Sequence, residues 1–233
     1  MKFLLLGFYL ICTSLHAWGP SQAATEFASP VTTKARYVLL AGSLATLTFA
    51  LLEDKVGDPL QKDVVNDRPL GKFSIVGDLA GQMIPNAAYA IGHFAWGENK
   101  RSLGMVKATG YASVVTTVLK YTVREPRPHD HSIRNSFPSG HSTTAFAFSG
   151  YVWQEHGWQW GSAALALSSF TAFSRINDNK HYLHDVIAGA TIGFSYGLAI
   201  SMLEKNKVID ENSVMLFPVY GLEIKGLLLS KNF

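Results

Sequence analysis

Phe137-Pro138-Ser139-Gly140-His141, followed at once by Ser142-Thr143-Thr144 and an apolar run, is the stretch from which the rest of this chain is read. A turn leading straight into apolar residues predicts a helix that opens at the turn. Pro138 fixes φ, Ser139 is a favoured N-cap, and Gly140 lets a ligand come close to the backbone. The first N–H groups of a helix have no partner inside it, and the helix dipole adds to their attraction for an anion. His141 brings a titratable proton to the rim of that position. A helix start, a hydroxyl, a glycine and a histidine within four residues point to phosphate chemistry.

Two further clusters flank this one, both at predicted helix ends. Lys120 is followed after six residues by Arg127-Pro128, and Ser174-Arg175 is followed by His181 and then Asp185. Antiparallel neighbouring helices bring all three clusters to one end of a bundle. Lys120, Arg127 and Arg175 would then surround one spot, with His141 and His181 beside it. A phosphoryl group in transfer spreads charge over its equatorial oxygens, and cations placed around them supply most of the catalysis. Arginine grips two oxygens with a planar fork, and lysine adds a point charge. One histidine can attack phosphorus while the other protonates the leaving oxygen. Asp185 lies one helical turn after His181, close enough to accept from one ring nitrogen and leave the other free.

Lys120-x6-Arg127-Pro128, Pro138-Ser139-Gly140-His141 and Ser174-Arg175-x5-His181-x3-Asp185 resemble the three signature motifs of the type 2 phosphatidic acid phosphatase superfamily. That superfamily includes lipid phosphate phosphatases, bacterial acid phosphatases and vanadium haloperoxidases. The resemblance covers about residues 108–203. It implies that His181 is the nucleophile forming a phosphohistidine, that Asp185 orients it, and that His141 is the general acid. It further implies that Lys120, Arg127, Ser139, Gly140 and Arg175 hold the phosphate, with no metal or other cofactor required. His184 departs from the family pattern, in which a small residue or proline usually precedes the aspartate. It reads as a bystander or as a second titrating group at the pocket rim.

The remaining sequence bounds this reading. At 233 residues the chain is one domain with short appendages. A net charge of +3 without a basic tract does not suggest nucleic acid as a partner. Cys12 is the one cysteine, which excludes a disulfide framework and a cysteine-based metal site. Lys2, the apolar run to about Ala17 and the small residues near Ser21-Gln22-Ala23 look like a secretory signal over residues 1–23. Apolar segments recur at Tyr37–Leu52, Ile75–Trp96, Ala108–Leu119, Thr143–Trp153, Gly161–Phe173 and Val186–Leu203. Most fall short of the roughly 20 apolar residues of a spanning helix. The expected fold is therefore all-α, an antiparallel bundle of about six helices over residues 24–204. Ala24–Ala35 reads as a polar lead-in, Lys62–Lys72 as a charged connector, and a break is expected near Pro85. Residues 205–233 form a C-terminal extension in which Ser213–Tyr220 and Leu222–Leu229 read as a short hairpin.

The function expected from these features is hydrolysis of a phosphomonoester or diphosphate of a membrane lipid, in the periplasm of the bacterial cell envelope, at or in a membrane surface. A soluble periplasmic acid phosphatase on small phosphoesters and a phosphotransferase would use the same intermediate. A non-enzymatic anion-binding module would need neither His181 nor His141.

Overall fold

The order in which apolar and small residues recur sets ten helices among the residues that the computed structural model describes. These are residues 20–211, 214–220 and 225–231, with side chains over 22–206. The helices are α1 Pro20–Phe27, α2 Ser29–Thr32, α3 Arg36–Leu51, α4 Asp58–Asp67, α5 Ser74–Gly81, α6 Ile84–Ala95, α7 Asn99–Val123, α8 Gly140–His156, α9 Trp158–Asn177 and α10 Leu183–Glu211.

The all-α class is as expected, but the helix count is not. The polar lead-in is helical as α1 and α2, because Glu26 is buried and paired with Lys107 of α7 at 2.9 Å. The charged connector begins inside α4, which packs through Gln61 onto Asn179 at 2.8 Å. Tertiary contacts thus supply helical stability that local composition lacks. Ile75–Trp96 breaks at Met83, whose φ of 67° is left-handed. Pro85 then sits in the first turn of α6, where its missing N–H costs nothing. The leader expected over residues 1–23 lies mostly outside the described residues. The terminal hairpin is no part of the all-α architecture. The backbone of Val214–Tyr220 runs antiparallel to that of Lys225–Lys231, and the helical fold is complete without them.

α8 is the central helix, and each neighbour reaches it by a different small or polar contact. Gly189, Gly193 and Gly197 form one face of α10, one turn apart. A Cβ at each would collide with the carbonyl oxygens of Ser139, Thr143 and Ala147 respectively. Only glycine permits this approach, which brings Asp185 against the start of α8. Ser168 of α9 donates to the Ala145 carbonyl at 2.7 Å. The Thr116 hydroxyl of α7 bonds that of Thr143 at 2.9 Å. Asn86 of α6 donates to Thr109 at 2.8 Å and to the Thr144 carbonyl at 3.1 Å. Met105, Ala108, Tyr151, Val152, Ala164 and Ile200 fill the apolar core at the opposite end from His141.

The outside of the bundle is apolar in places. α3 buries none of its residues, and Leu40, Leu44, Leu47 and Leu51 on it are 55–76% exposed. Ile91, Phe94 and Trp96 extend this character on and after α6, as do Trp158 and Trp160 at the start of α9. Among the described residues one helix, Leu183–Asn206, is long and apolar enough to cross a membrane, and 72% of its apolar window is buried inside the bundle. Arg36–Leu51 and Glu53–Asp67 pass the same test only as a pair bent by 77°.

Candidate active site

Three helix ends meet where the small-residue packing draws them together. α7 ends at Arg124, left-handed at φ 55°, just before Pro126 and Pro128. The loop that follows folds back, with the Ser136 N–H donating to the Glu125 carbonyl at 3.0 Å. α8 then opens at the turn expected from sequence. Ser139 caps it by accepting from the Ser142 N–H at 3.4 Å. Among the described residues no acceptor meets the N–H of Gly140 or of His141. α10 is joined to the same corner by the Ser139 N–H, which donates to the Asp185 carbonyl at 3.0 Å.

Every residue assigned from sequence lies at this corner. Lys120 donates to the carbonyls of Asn135 and Ser136 at 2.6 and 3.1 Å, and Arg127 donates to the Asn135 side-chain oxygen at 2.8 Å. Both spend these bonds on neutral oxygens, so their charge is left for a ligand. Burial, followed by the Arg127 charge, pushes Lys120 down to about 8. Burial and then Arg175 lower Arg127. Cations that depress one another in this way are poised for an anion of multiple charge. Gly140 stands beside Lys120, whose side chain a Cβ there would meet only at an ordinary contact distance of 3.9 Å.

His181 and Asp185 are fully buried. The Asp185 Oδ2 accepts from Ser136 at 2.6 Å and from the Tyr182 N–H at 2.9 Å, and lies 3.4 Å from His181 Nδ1. With Nδ1 turned toward the carboxylate, Nε2 is the nitrogen left for phosphorus. His141 is only partly buried, at the mouth of the corner, with Nε2 3.3 Å from Asp78 Oδ1.

Comparison with known proteins places the motif-bearing part of the chain. Residues 101–208 match the model of the PAP2 superfamily. Residues 101–208 belong to the PAP2 superfamily. The chain is 32% identical over 164 residues to a lipid A 1-phosphatase of Porphyromonas gingivalis, covering 66% of this chain and 36% of that protein. It is 30% identical over 100 residues to a lipid A 4'-phosphatase of Helicobacter pylori, covering 43% of this chain and 48% of that one. The chain therefore spans at most about half the length of these relatives. Two solved structures share the fold at 21% identity. Aquifex aeolicus LpxE aligns with a TM-score of 0.53 over 64% of this chain and 95% of its own. A transmembrane PAP2-type phosphatidylglycerolphosphate phosphatase of Bacillus subtilis aligns at 0.55 over 75% and 97%.

The structure adds residues to the PAP2 motifs that sequence reading passed over. Asp78 on α5 ion-pairs with Arg175 and faces His141, so it holds the arginine and lies beside the histidine. Its signal was a carboxylate in the middle of an apolar helix. Ser136, directly before Phe137, supplies the shortest bond to Asp185 and carries no motif signal. Arg124, His129, His131 and Arg134 are exposed, in keeping with solvated loop residues.

Burial keeps both histidines neutral. It pushes His181 down to about 4 against the opposing pull of Asp185. It also pushes His141 to about 4, helped by Arg175 and opposed by Asp78. A histidine free in the unfolded chain titrates near about 6.5. The unfolded state therefore takes up protons first, and stability is lost as pH falls from about 6.5 toward 4. For His181 this amounts to about 3 kcal/mol at the acid end, as an upper bound. Thermal melting in detergent at pH 7 and pH 4.5 is expected to show a fall of several degrees on acidification, smaller in His181→Gln. A melting temperature that does not change over that interval would contradict the burial argument.

Proposed function

We propose that the protein is a phosphatase that removes phosphate from a membrane lipid phosphate through a phosphohistidine on His181, without a divalent metal. The observation that carries this is one corner holding two cations without carboxylate bonds, two unpartnered helix N–H groups and a buried histidine backed by a carboxylate. Lys120, Arg127, Arg175 and the N–H groups of Gly140 and His141 grip the three outer oxygens. The Nε2 lone pair of His181 forms a bond to phosphorus as the bond to the leaving oxygen breaks, and His141 gives that oxygen its proton. Water then attacks phosphorus while His141 takes its proton, the P–N bond breaks with its electron pair returning to His181 Nε2, and phosphate leaves.

The lipid class rests on two supports. The curated relatives are named for lipid A phosphate removal. In addition, Leu40, Leu44, Leu47 and Leu51 of α3 are exposed among the described residues, a surface suited to lipid. The leader-like start of the sequence supports action at the outer side of the cytoplasmic membrane.

The test is an assay of the detergent-solubilised full chain against lipid and soluble phosphates, with and without EDTA, and with acid- and base-quench trapping. A base-stable, acid-labile phosphoenzyme and full activity in EDTA are expected. Loss of activity in EDTA that magnesium restores would refute the metal-free mechanism. Equal turnover of small soluble phosphoesters and lipids would move the assignment to a general acid phosphatase.

A further inference from the structure

His184, at the start of α10, is buried between carboxylates. Nε2 lies 3.0 Å from Glu125 Oε1 and 3.5 Å from Asp185 Oδ1, while Nδ1 lies 3.6 Å from Glu53 Oε2. The Tyr182 ring is stacked on it at 5.6 Å and 8°, with the Phe137 ring at 6.0 Å and 28°. A neutral imidazole donates from one nitrogen only and would turn a lone pair toward one of these carboxylates. The charged ring faces all of them with N–H groups. Asp185 Oδ1 and Glu125 Oε2 are both buried and make no other hydrogen bond among the described residues. The two carboxyl groups lie against each other, and burial, with Asp185 beside it, pushes Glu125 up to about 7. Asp185 is thus gripped by donors at Oδ2 and, at Oδ1, held by the His184 charge.

We propose that His184 and Glu125 form a clamp that positions Asp185, and through it the tautomer of His181. This rests on the reading of the corner as a phosphoryl-transfer site and deepens it. Glu53, from the corner between α3 and α4, balances the far side of the ring. Lys120 and Arg127 act on Asp185 from the phosphate side, so its carboxylate needs a hold on the opposite edge to stay aimed at His181. Glu53, Glu125 and His184 also lie near enough together to ligate a metal through one atom each. The two glutamates, however, address different nitrogens of the ring, and Nε2 is already hydrogen-bonded to Glu125.

The test compares His184→Gln, Glu125→Ala and Glu125→Gln with the wild type and His181→Ala in the full chain. Readouts are kcat on an aryl phosphate, its pH profile, and the affinity for inorganic orthovanadate. His184→Gln is expected to lose about a hundredfold in kcat, as for a small misplacement of a reacting group, with vanadate affinity kept and the acid limb of the pH profile moved. Glu125→Ala should fall likewise, and Glu125→Gln should recover part of that loss, because its amide can still accept from His184 and donate to Asp185. Wild-type kcat and profile in His184→Gln would overturn the clamp. Should that variant fail to fold and bind no vanadate, equal losses in Glu125→Ala and Glu125→Gln would overturn it instead. Stimulation of the wild type by Mn²⁺ or Zn²⁺ that disappears in His184→Gln would assign the cluster to a metal. If the wild type is as inactive as His181→Ala, the phosphatase reading itself falls and the clamp with it.

Discussion

His181→Ala is expected to abolish turnover of lipid and aryl phosphates alike, by at least about 10⁴-fold, as when the nucleophile of a covalent mechanism is removed. Activated substrates gain nothing, because under the proposed mechanism every product passes through the bond that His181 Nε2 makes to phosphorus. Binding should survive. Lys120, Arg127 and the N–H groups of Gly140 and His141 do not depend on the His181 ring, so orthovanadate or inorganic phosphate should still protect the variant against thermal unfolding. The pattern to be measured is therefore lost kcat and lost phosphoenzyme with retained anion binding. Residual burst-phase phosphoenzyme in His181→Ala would remove this residue from the role of nucleophile.

The second large effect depends on the leaving group. His141→Ala is expected to lose about 10² to 10⁴ in kcat on a lipid or alkyl phosphate, the usual worth of a general acid. On an aryl phosphate with a good leaving group the loss should be far smaller, since such an oxygen departs without a proton. With the site empty, burial and the nearby guanidinium of Arg175 hold His141 down at about 4. A bound phosphate brings negative charge and raises it again, so substrate itself recruits the proton that its leaving group needs. The alkyl phosphate rate of the wild type should accordingly decline toward alkaline pH as His141 loses that proton. The aryl phosphate rate should decline less. Equal losses for His141→Ala on both substrates would mean that the two histidines are assigned the wrong way round, or that neither donates.

The legible part of this protein was the part written in local geometry. Pro138-Ser139-Gly140-His141 specifies a capped helix start whatever surrounds it, and the structure places the cap on Ser139. Asp185 does lie near His181, but not by the helical turn that the spacing suggested. α10 begins only at Leu183, and Asp185 Oδ2 reaches back to accept from the Tyr182 N–H at 2.9 Å, which sets it 3.4 Å from His181 Nδ1. Less legible were the short helices. Lys62–Lys72 looked like a connector because its charges dominate it, yet its first half belongs to α4, which is held by Gln61 reaching Asn179, 118 residues away, and by Val64 packing against Ala172, Ile176 and Val186.

The all-α class and the three local clusters proposed here as phosphate-binding and reacting groups, each confined to a short stretch around Lys120–Arg127, Ser139–His141 and Arg175–Asp185, were legible in the sequence alone. What only the tertiary structure decided is who else stands at that corner. Asp78 reaches Arg175 across 97 residues, and Glu53, Glu125 and Ser136 arrive around His184 and Asp185 from separate segments. His184, read from sequence as a rim residue or bystander, lies instead in the buried centre of that group. No spacing rule links these positions. They meet because Gly189, Gly193 and Gly197 let α10 close onto the carbonyls of α8, and where two backbones can approach is fixed by packing over the whole bundle.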